Sequence, residues 1–166
     1  MSRAPRAREP SAKYAVARAR SPAEPRALFD VNVLIALLDA DHLHHARAMQ
    51  WLAAHIKAGW ASCAITQNGC VRIMSQPGYP NPLPTARVAE RLRAATATPH
   101  HLYIGDAPSL LDDKAFDSEQ LLGHRQVTDA WLLGLAVRHR LRLVTFDARM
   151  PSRVVRQATP DHVVVL

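Results

Sequence analysis

Four polar side chains stand where metal-assisted chemistry could take place: Asp30, Gln67, Asp129 and Asp147. Asp30 and Asp147 each follow a short apolar run of strand length. Asp129 stands in the first turn of a predicted apolar helix, where the helix dipole favours the ionised carboxylate. Gln67 stands at the mouth of another predicted helix, with Thr66 as its N-cap. Because the carboxyl ends of parallel strands share one edge of a sheet, we expect the four side chains to converge there.

Two explanations account for these carboxylates. Each aspartate could simply cap a helix, as Asp30 could cap the helix that begins near Val31. Capping explains three converging carboxylates less well, because like charges repel and raise each other's pKa unless a cation lies among them. Hard oxygen ligands with few soft ones favour Mg²⁺ or Mn²⁺. Such an ion would clamp a phosphate and activate water for in-line attack.

The elements that must position these residues alternate between strands and helices. Apolar runs of strand length occur at residues 27–29, 60–65, 101–104, 142–146 and 162–166. Apolar spacing and helix-start signals predict helices from about 31, at 43–57, 66–74, 85–96 and 126–138, and a short one within 111–119. This alternation predicts an α/β fold with a central, mainly parallel sheet.

Three histidines in the second predicted helix raise the alternative of a zinc site: His42, His44 and His45. They do not share one helix face in the i, i+4 manner of a helical metal pair. We therefore interpret them as surface or helix-packing residues.

The composition indicates one domain preceded by a basic tail. At 166 residues the chain is long enough for one packed core. Residues 1–25 are rich in Arg, Ala, Pro and Ser without an apolar period, which predicts a disordered tail before a domain at 26–166. Residues 1–26 carry seven basic and two acidic side chains, hence five of the seven net positive charges. The domain itself is therefore nearly neutral, and three interpretations of the tail remain open: a basic arm for RNA, a start codon placed too early, and a transit-like leader.

The compartment follows from two further features of the sequence. Cys63 and Cys70 lie in or beside apolar runs, which indicates buried thiols in a reducing compartment. The sequence has no apolar run of membrane-spanning length and no secretory signal. We expect a cytoplasmic protein without a membrane partner.

Four motifs in order resemble those of PIN-domain ribonucleases, particularly the toxins of VapBC toxin–antitoxin pairs. They are Leu-Phe-Asp-Val-Asn at 28–32, Thr-Gln-Asn-Gly at 66–69, Val-Thr-Asp-Ala at 127–130 and Val-Thr-Phe-Asp at 144–147. The resemblance covers residues 26–166 and implies a three-layer α/β/α sandwich with magnesium-dependent endoribonuclease activity. It also implies an RNA substrate, a separate antitoxin protein and a homodimer.

The same resemblance assigns roles to individual residues. Asp30, Asp129 and Asp147 match the family's catalytic, metal-binding acids. The matching supporting positions are Asn32, Thr128 and Thr145, with Gln67 in the place of a fourth acid, usually Glu.

Gln67 is the departure from the family pattern. An amide can accept a hydrogen bond from a metal-bound water but adds no negative charge, so a second metal ion would bind poorly. Asp113, Asp117 or Glu119 could supply the missing charge. The alternative function is a catalytically weak PIN fold that binds RNA or a protein partner.

Overall fold

The structure, a computed structural model, describes residues 24–166. Its strands are β1 (Ala27–Phe29), β2 (Trp60–Cys63), β3 (His101–Ile104), β4 (Arg142–Thr145) and β5 (Val163–Val165). Its α-helices are α1 (Val31–Leu38), α2 (His45–His55), α3 (Ala64–Met74), α4 (Thr85–Thr96) and α5 (Val127–Arg138). The strands form one sheet in the order β3-β2-β1-β4-β5, and every pairing is parallel.

The sheet separates two apolar cores. Leu28 and Leu143 face a core that includes the buried residues of α5. Phe29 and Val144, their chain neighbours, face a second core built with α1, α3 and α4. This alternation follows from the two-residue period of a strand, which turns successive side chains to opposite faces. The predicted three-layer α/β/α sandwich with a parallel sheet is confirmed.

The strand register brings the ends of the strands to one edge. Phe29 pairs with Val144, and Cys63 pairs with Ile104. Asp30 follows β1 directly, and α3 begins at Ala64 immediately after β2. Side chains that follow the strands therefore start from the same edge of the sheet, as the sequence predicts.

The largest differences between predicted and observed elements lie at α3 and at residues 111–119. The helix predicted at 66–74 begins earlier, at Ala64, and its N-cap is Cys63 rather than Thr66. Thr66 lies inside the first turn, where its hydroxyl accepts from the Cys63 N–H at 3.0 Å and donates to the Cys63 carbonyl at 3.1 Å. The segment 111–119 forms turns that lead into a 3₁₀ helix at Ser118–Gln120, because Phe116 pairs with Val155 in an isolated bridge instead.

The predicted tail lies almost wholly outside the described residues. Glu24, within the predicted tail, forms an ion pair with Arg142 and lies 3.5 Å from His55. The described residues thus begin slightly before the predicted boundary at residue 26. None of the helices in residues 24–166 combines the length and apolar character that crossing a bilayer requires.

Candidate functional site

Asp30 ends β1 and caps α1. One carboxylate oxygen accepts from the Val31 N–H at 2.6 Å, and the other accepts from the Thr145 hydroxyl at 3.0 Å. The residue is only 8% exposed. Burial raises the pKa of Asp30, and the negative charge of Asp147 raises it further, although these two hydrogen bonds act in the opposite direction. Asp30 is therefore a helix cap and also a buried carboxylate close to a like charge.

Asp147 reaches the same place from the end of β4. Its backbone N–H donates to the Thr145 hydroxyl oxygen at 3.1 Å, which links it to Asp30 through one side chain. Its carboxylate accepts from the Arg149 N–H at 2.8 Å, and that bond is the main reason why the pKa of Asp147 is lowered. Its side chain is 43% exposed, so water and ligands reach it from outside.

Asp129 approaches from the opposite layer, in the first turn of α5. It is half-buried, and burial raises its pKa, with further contributions from the negative charges of Asp30 and Asp147. The charge of Asp147 thus disfavours ionisation of Asp30, and the charges of both disfavour ionisation of Asp129, although the three come from distant parts of the sequence. The expectation that the aspartates converge at one edge of the sheet agrees with this arrangement.

The chemistry of these donors suits a divalent cation. Carboxylate oxygens are the ligands that hard cations prefer, and a cation among them would remove the mutual repulsion. Among residues 24–166, however, no three acidic, histidine or cysteine side chains already stand at metal-binding spacing. Closing around an ion requires side-chain rotation, for which the exposed Asp147, paired with Arg149 at 3.4 Å, is the best placed.

A cavity of about 480 Å³ opens beside Asp30. The supporting residues Asn32 and Thr128 both line it, and both are exposed at the surface. The facing wall is one side of α3: Ile65, Asn68, Gly69, Arg72 and Ile73. Gly69 allows α1 to come close, because a Cβ there would lie 2.9 Å from Val31. Asn32 and Thr128 thus line the cavity beside Asp30, and Thr145 is hydrogen-bonded to Asp30 and to the Asp147 backbone.

Gln67 is not part of this cavity. Its amide donates to the Ser62 hydroxyl at 2.9 Å, and its side chain faces a second cavity between α3 and α4. The expectation that Gln67 joins the aspartates therefore differs from the structure. Side chains one residue apart on a helix point about 100° away from each other, and Asn68 occupies the direction expected for Gln67. Asn68 and Arg72 also line the cavity although the motifs did not predict them as site residues, and the four-residue spacing along α3 could have identified them.

Residues 27–155 match the family described as PIN domain. Ribonuclease VapC44 of Mycobacterium tuberculosis is 50% identical over 141 residues, which cover 85% of this chain and 99% of VapC44. The chain is a VapC-type member of the PIN-domain family. The family resemblance stated from the four motifs is confirmed.

Other members of the family are similar over slightly shorter spans. Ribonuclease VapC38 of M. tuberculosis is 45% identical over 123 residues, which cover 74% of this chain and 85% of VapC38. The crystal structure of M. tuberculosis VapC20, described as a sarcin–ricin loop cleaving toxin, superposes with a TM-score of 0.54. That match covers 81% of this chain and 99% of VapC20 at 15% identity, so it supports the PIN fold of this chain rather than a shared target.

Proposed function

We propose that this PIN-domain protein is a metal-dependent endoribonuclease that acts as the toxin of a toxin–antitoxin pair. The observation that carries the proposal is the convergence of Asp30, Asp129 and Asp147 from three distant segments. Burial and like charge raise the pKa of Asp30 and of Asp129, and a divalent cation bound among the carboxylates would offset this cost of ionisation at neutral pH. The relatives named ribonuclease support RNA as the substrate.

Asp30, Asp129 and Asp147 would hold the ion, with Mg²⁺ as the proposed species and Mn²⁺ as its substitute. When bound, such an ion stabilises negative charge on a phosphodiester and lowers the pKa of water. Thr145 fixes the position of the Asp30 carboxylate relative to the Asp147 backbone through its two hydrogen bonds. Asn32 and Thr128 offer polar groups at the mouth of the cavity, where a phosphate enters.

Arg72 adds a positive charge to the same cavity. Its guanidinium can hold phosphate oxygens in two parallel hydrogen bonds, which suits binding and orientation of the scissile phosphodiester. Arg72 forms no ion pair with any side chain in the described part of the molecule. The cavity thus combines the carboxylate of Asp30 with a cation that can contact an anionic substrate.

The first test is RNA cleavage by purified protein with Mg²⁺. We expect Asp30→Asn, Asp129→Asn and Asp147→Asn each to abolish cleavage with unchanged far-UV circular dichroism, and EDTA to abolish cleavage by the unaltered chain. Asp41→Asn is the matched control, because Asp41 is exposed and lies in a turn before α2. Wild-type cleavage rates in Asp129→Asn would contradict the proposed site.

A toxin also needs a partner that blocks it. We propose a cognate antitoxin protein that inserts an arginine among the aspartates, since guanidinium pairs with carboxylates and competes with a metal ion. We further propose a homodimer acting in the cytoplasm.

Expression of the chain alone is expected to stop growth, and Asp30→Asn is expected to relieve the arrest. Normal growth with the folded, unaltered chain would contradict a toxin.

The second candidate function is RNA or protein binding by a catalytically weak PIN fold. It is favoured by the lack, within residues 24–166, of a second acid lining the cavity beside Asp30, because Gln67 points elsewhere. The cleavage assay separates the two functions, since a binding protein retains RNA without cutting it at any Mg²⁺ or Mn²⁺ concentration.

A further inference from the structure

A second and larger groove runs along the other side of α3. Its volume is about 810 Å³, and it lies between α3 and α4 with Tyr103 of β3 at its side. Ala64, Asn68 and Arg72 line both this groove and the cavity of Asp30. The two depressions therefore adjoin across one ridge of α3, and a bound chain can pass from one into the other.

The charge of the groove is positive and uncompensated. Arg72 and Arg93 line it, and the residues around it include no aspartate or glutamate. Neither arginine forms an ion pair within residues 24–166. The other arginines of α4 differ, because Arg87 pairs with Glu90 at 2.6 Å and Arg91 donates to the Leu38 carbonyl at 3.3 Å.

The remaining polar groups suit nucleobases. Tyr103 lines the groove and is 51% exposed, so its ring is accessible to a ligand there. Gln67 keeps its amide oxygen available while its nitrogen is bound to Ser62, and Asn68 stands on the ridge beside it. Aromatic rings stack on bases of any sequence, and amides pair with base edges.

We propose that single-stranded RNA flanking the cleavage point lies in this groove, with phosphates on Arg72 and Arg93 and a base stacked on Tyr103. This inference rests on the proposed ribonuclease function and names the path of its substrate. Positive charge next to an exposed ring, in direct continuity with the aspartate cavity, matches a polyanion that carries aromatic bases. Gln67, displaced from the metal site, then contacts a base and contributes to sequence preference.

The test measures RNA binding separately from cleavage. Every variant carries Asp30→Asn so that the probe, a labelled unstructured oligoribonucleotide of about 12 nucleotides, stays intact in Mg²⁺. We expect Tyr103→Ala to weaken binding at least about fivefold, and Tyr103→Phe to bind as its parent does, because stacking needs the ring but not the hydroxyl. Arg93→Gln should lower the slope of log affinity against log salt by roughly 0.7, which is the loss of one phosphate contact to a single strand.

Arg87→Gln is the matched control, since it removes the same charge from the same helix outside the groove. Equal binding by Arg93→Gln, Tyr103→Ala and this control would overturn the proposal. A wild-type dimer that both groove variants convert to a monomer, by analytical ultracentrifugation, would assign the groove to contact between copies and would also overturn it. Binding of polyglutamate that competes fully with RNA and ignores Tyr103→Ala would assign it to an acidic peptide instead.

Cleavage rates distinguish failure of the inference from failure of the proposed function. In the chain with Asp30 intact, we expect Tyr103→Ala and Arg93→Gln to raise KM for a long RNA while kcat changes little. If KM is unchanged in both variants while the wild type cleaves normally, RNA does not bind in the groove, and the proposed ribonuclease function still stands. Absence of cleavage by the unaltered chain would contradict the proposed ribonuclease function. The comparison of RNA binding among the variants would still decide whether RNA lies in the groove.

Discussion

Thr145 joins two aspartates through one buried hydroxyl, which is 1% exposed. It donates to Asp30 at 3.0 Å and accepts from the Asp147 N–H at 3.1 Å. We expect Thr145→Val to lower cleavage by about 10–100-fold, the range seen when partners of metal ligands are removed. Valine fills the same volume, so the rate should fall without loss of the fold.

Steady-state cleavage and circular dichroism of Thr145→Val check this expectation. Thr145→Ser is the control, because it keeps the hydroxyl and removes one methyl group. If the valine variant cleaved as fast as the serine variant, Thr145 would not position the aspartates.

The orientation of α3 gives a second prediction at the level of single residues. Asn68 lines the cavity of Asp30, whereas Gln67 lines the groove on the other side. Asn68→Asp should therefore add a fourth negative charge to the site and tighten Mg²⁺ binding by about tenfold, or roughly 1–2 kcal/mol. Gln67→Glu, the matched control, adds the same charge but should leave the Mg²⁺ titration nearly unchanged.

Isothermal calorimetry on both variants measures the difference. Tighter Mg²⁺ binding in Gln67→Glu than in Asn68→Asp would show that the Gln67 side chain turns to the aspartates when metal binds. That outcome would restore the position expected from the family motif.

At the level of elements, the beginning of α3 shows what a sequence can and cannot predict. The strands, α4 and α5 could be predicted from apolar periodicity. An element that is buried on one face or on all faces has a clear pattern of apolar residues in the sequence. The start of α3 did not, since both Cys63 and Thr66 are compatible with a helix start, and a capping-type hydrogen bond between them decides it. A shift of two residues at a helix start alters the direction expected for every following side chain. The predicted positions of the three aspartates do not depend on the start of α3, because β1, β4 and α5 position them.

Gly134 of α5 provides a prediction about packing between elements. A Cβ at Gly134 would lie 2.3 Å from the ring of Phe116, which is itself fully buried. We expect Gly134→Ala to destabilise the chain by about 1–3 kcal/mol through overpacking. Differential scanning calorimetry should show a lower melting temperature.

Two further variants test the cause. Gly123→Ala should melt as the wild type does, because nothing lies within 4 Å of a Cβ at that position. Phe116→Leu combined with Gly134→Ala should cost less than the sum of the two single changes, since the smaller side chain removes the clash. Additive losses would mean that the ring of Phe116 is not what opposes the alanine.

At the level of the whole molecule, the aspartate cluster couples stability to pH and to metal ions. Asp30 and Asp129 have pKa values raised above the ordinary 3.8, mainly by burial, so the folded chain binds their protons more tightly than the unfolded chain. Their stabilising contribution is complete below pH 3.8 and is lost as pH rises through the raised values. Asp147, with a lowered pKa, contributes in the opposite sense, but its exposure makes that contribution small.

A divalent cation should therefore raise the melting temperature at neutral pH, and the gain should shrink as pH falls and protons displace the metal. Scanning fluorimetry in MgCl₂, against KCl of equal ionic strength, measures this gain. Asp30→Asn keeps a good helix cap and removes one charge, so its metal-free melting temperature should equal or exceed that of the wild type, with a smaller gain from Mg²⁺. If Mg²⁺ raised the melting temperature of this variant as much as that of the wild type, Asp30 would not be a ligand of the ion.

The order of the three aspartates along the chain has a consequence for biosynthesis. Asp129 and Asp147 are translated long after Asp30, and β5, which pairs with β4, follows both of them. A nascent chain or a product of interrupted translation lacks part of the carboxylate cluster and one edge of the sheet. If the three aspartates form the catalytic site, chains that stop before Asp147 should be inert, and a cell that makes this nuclease on its own ribosomes should meet the activity only after β4 and Asp147 have been made.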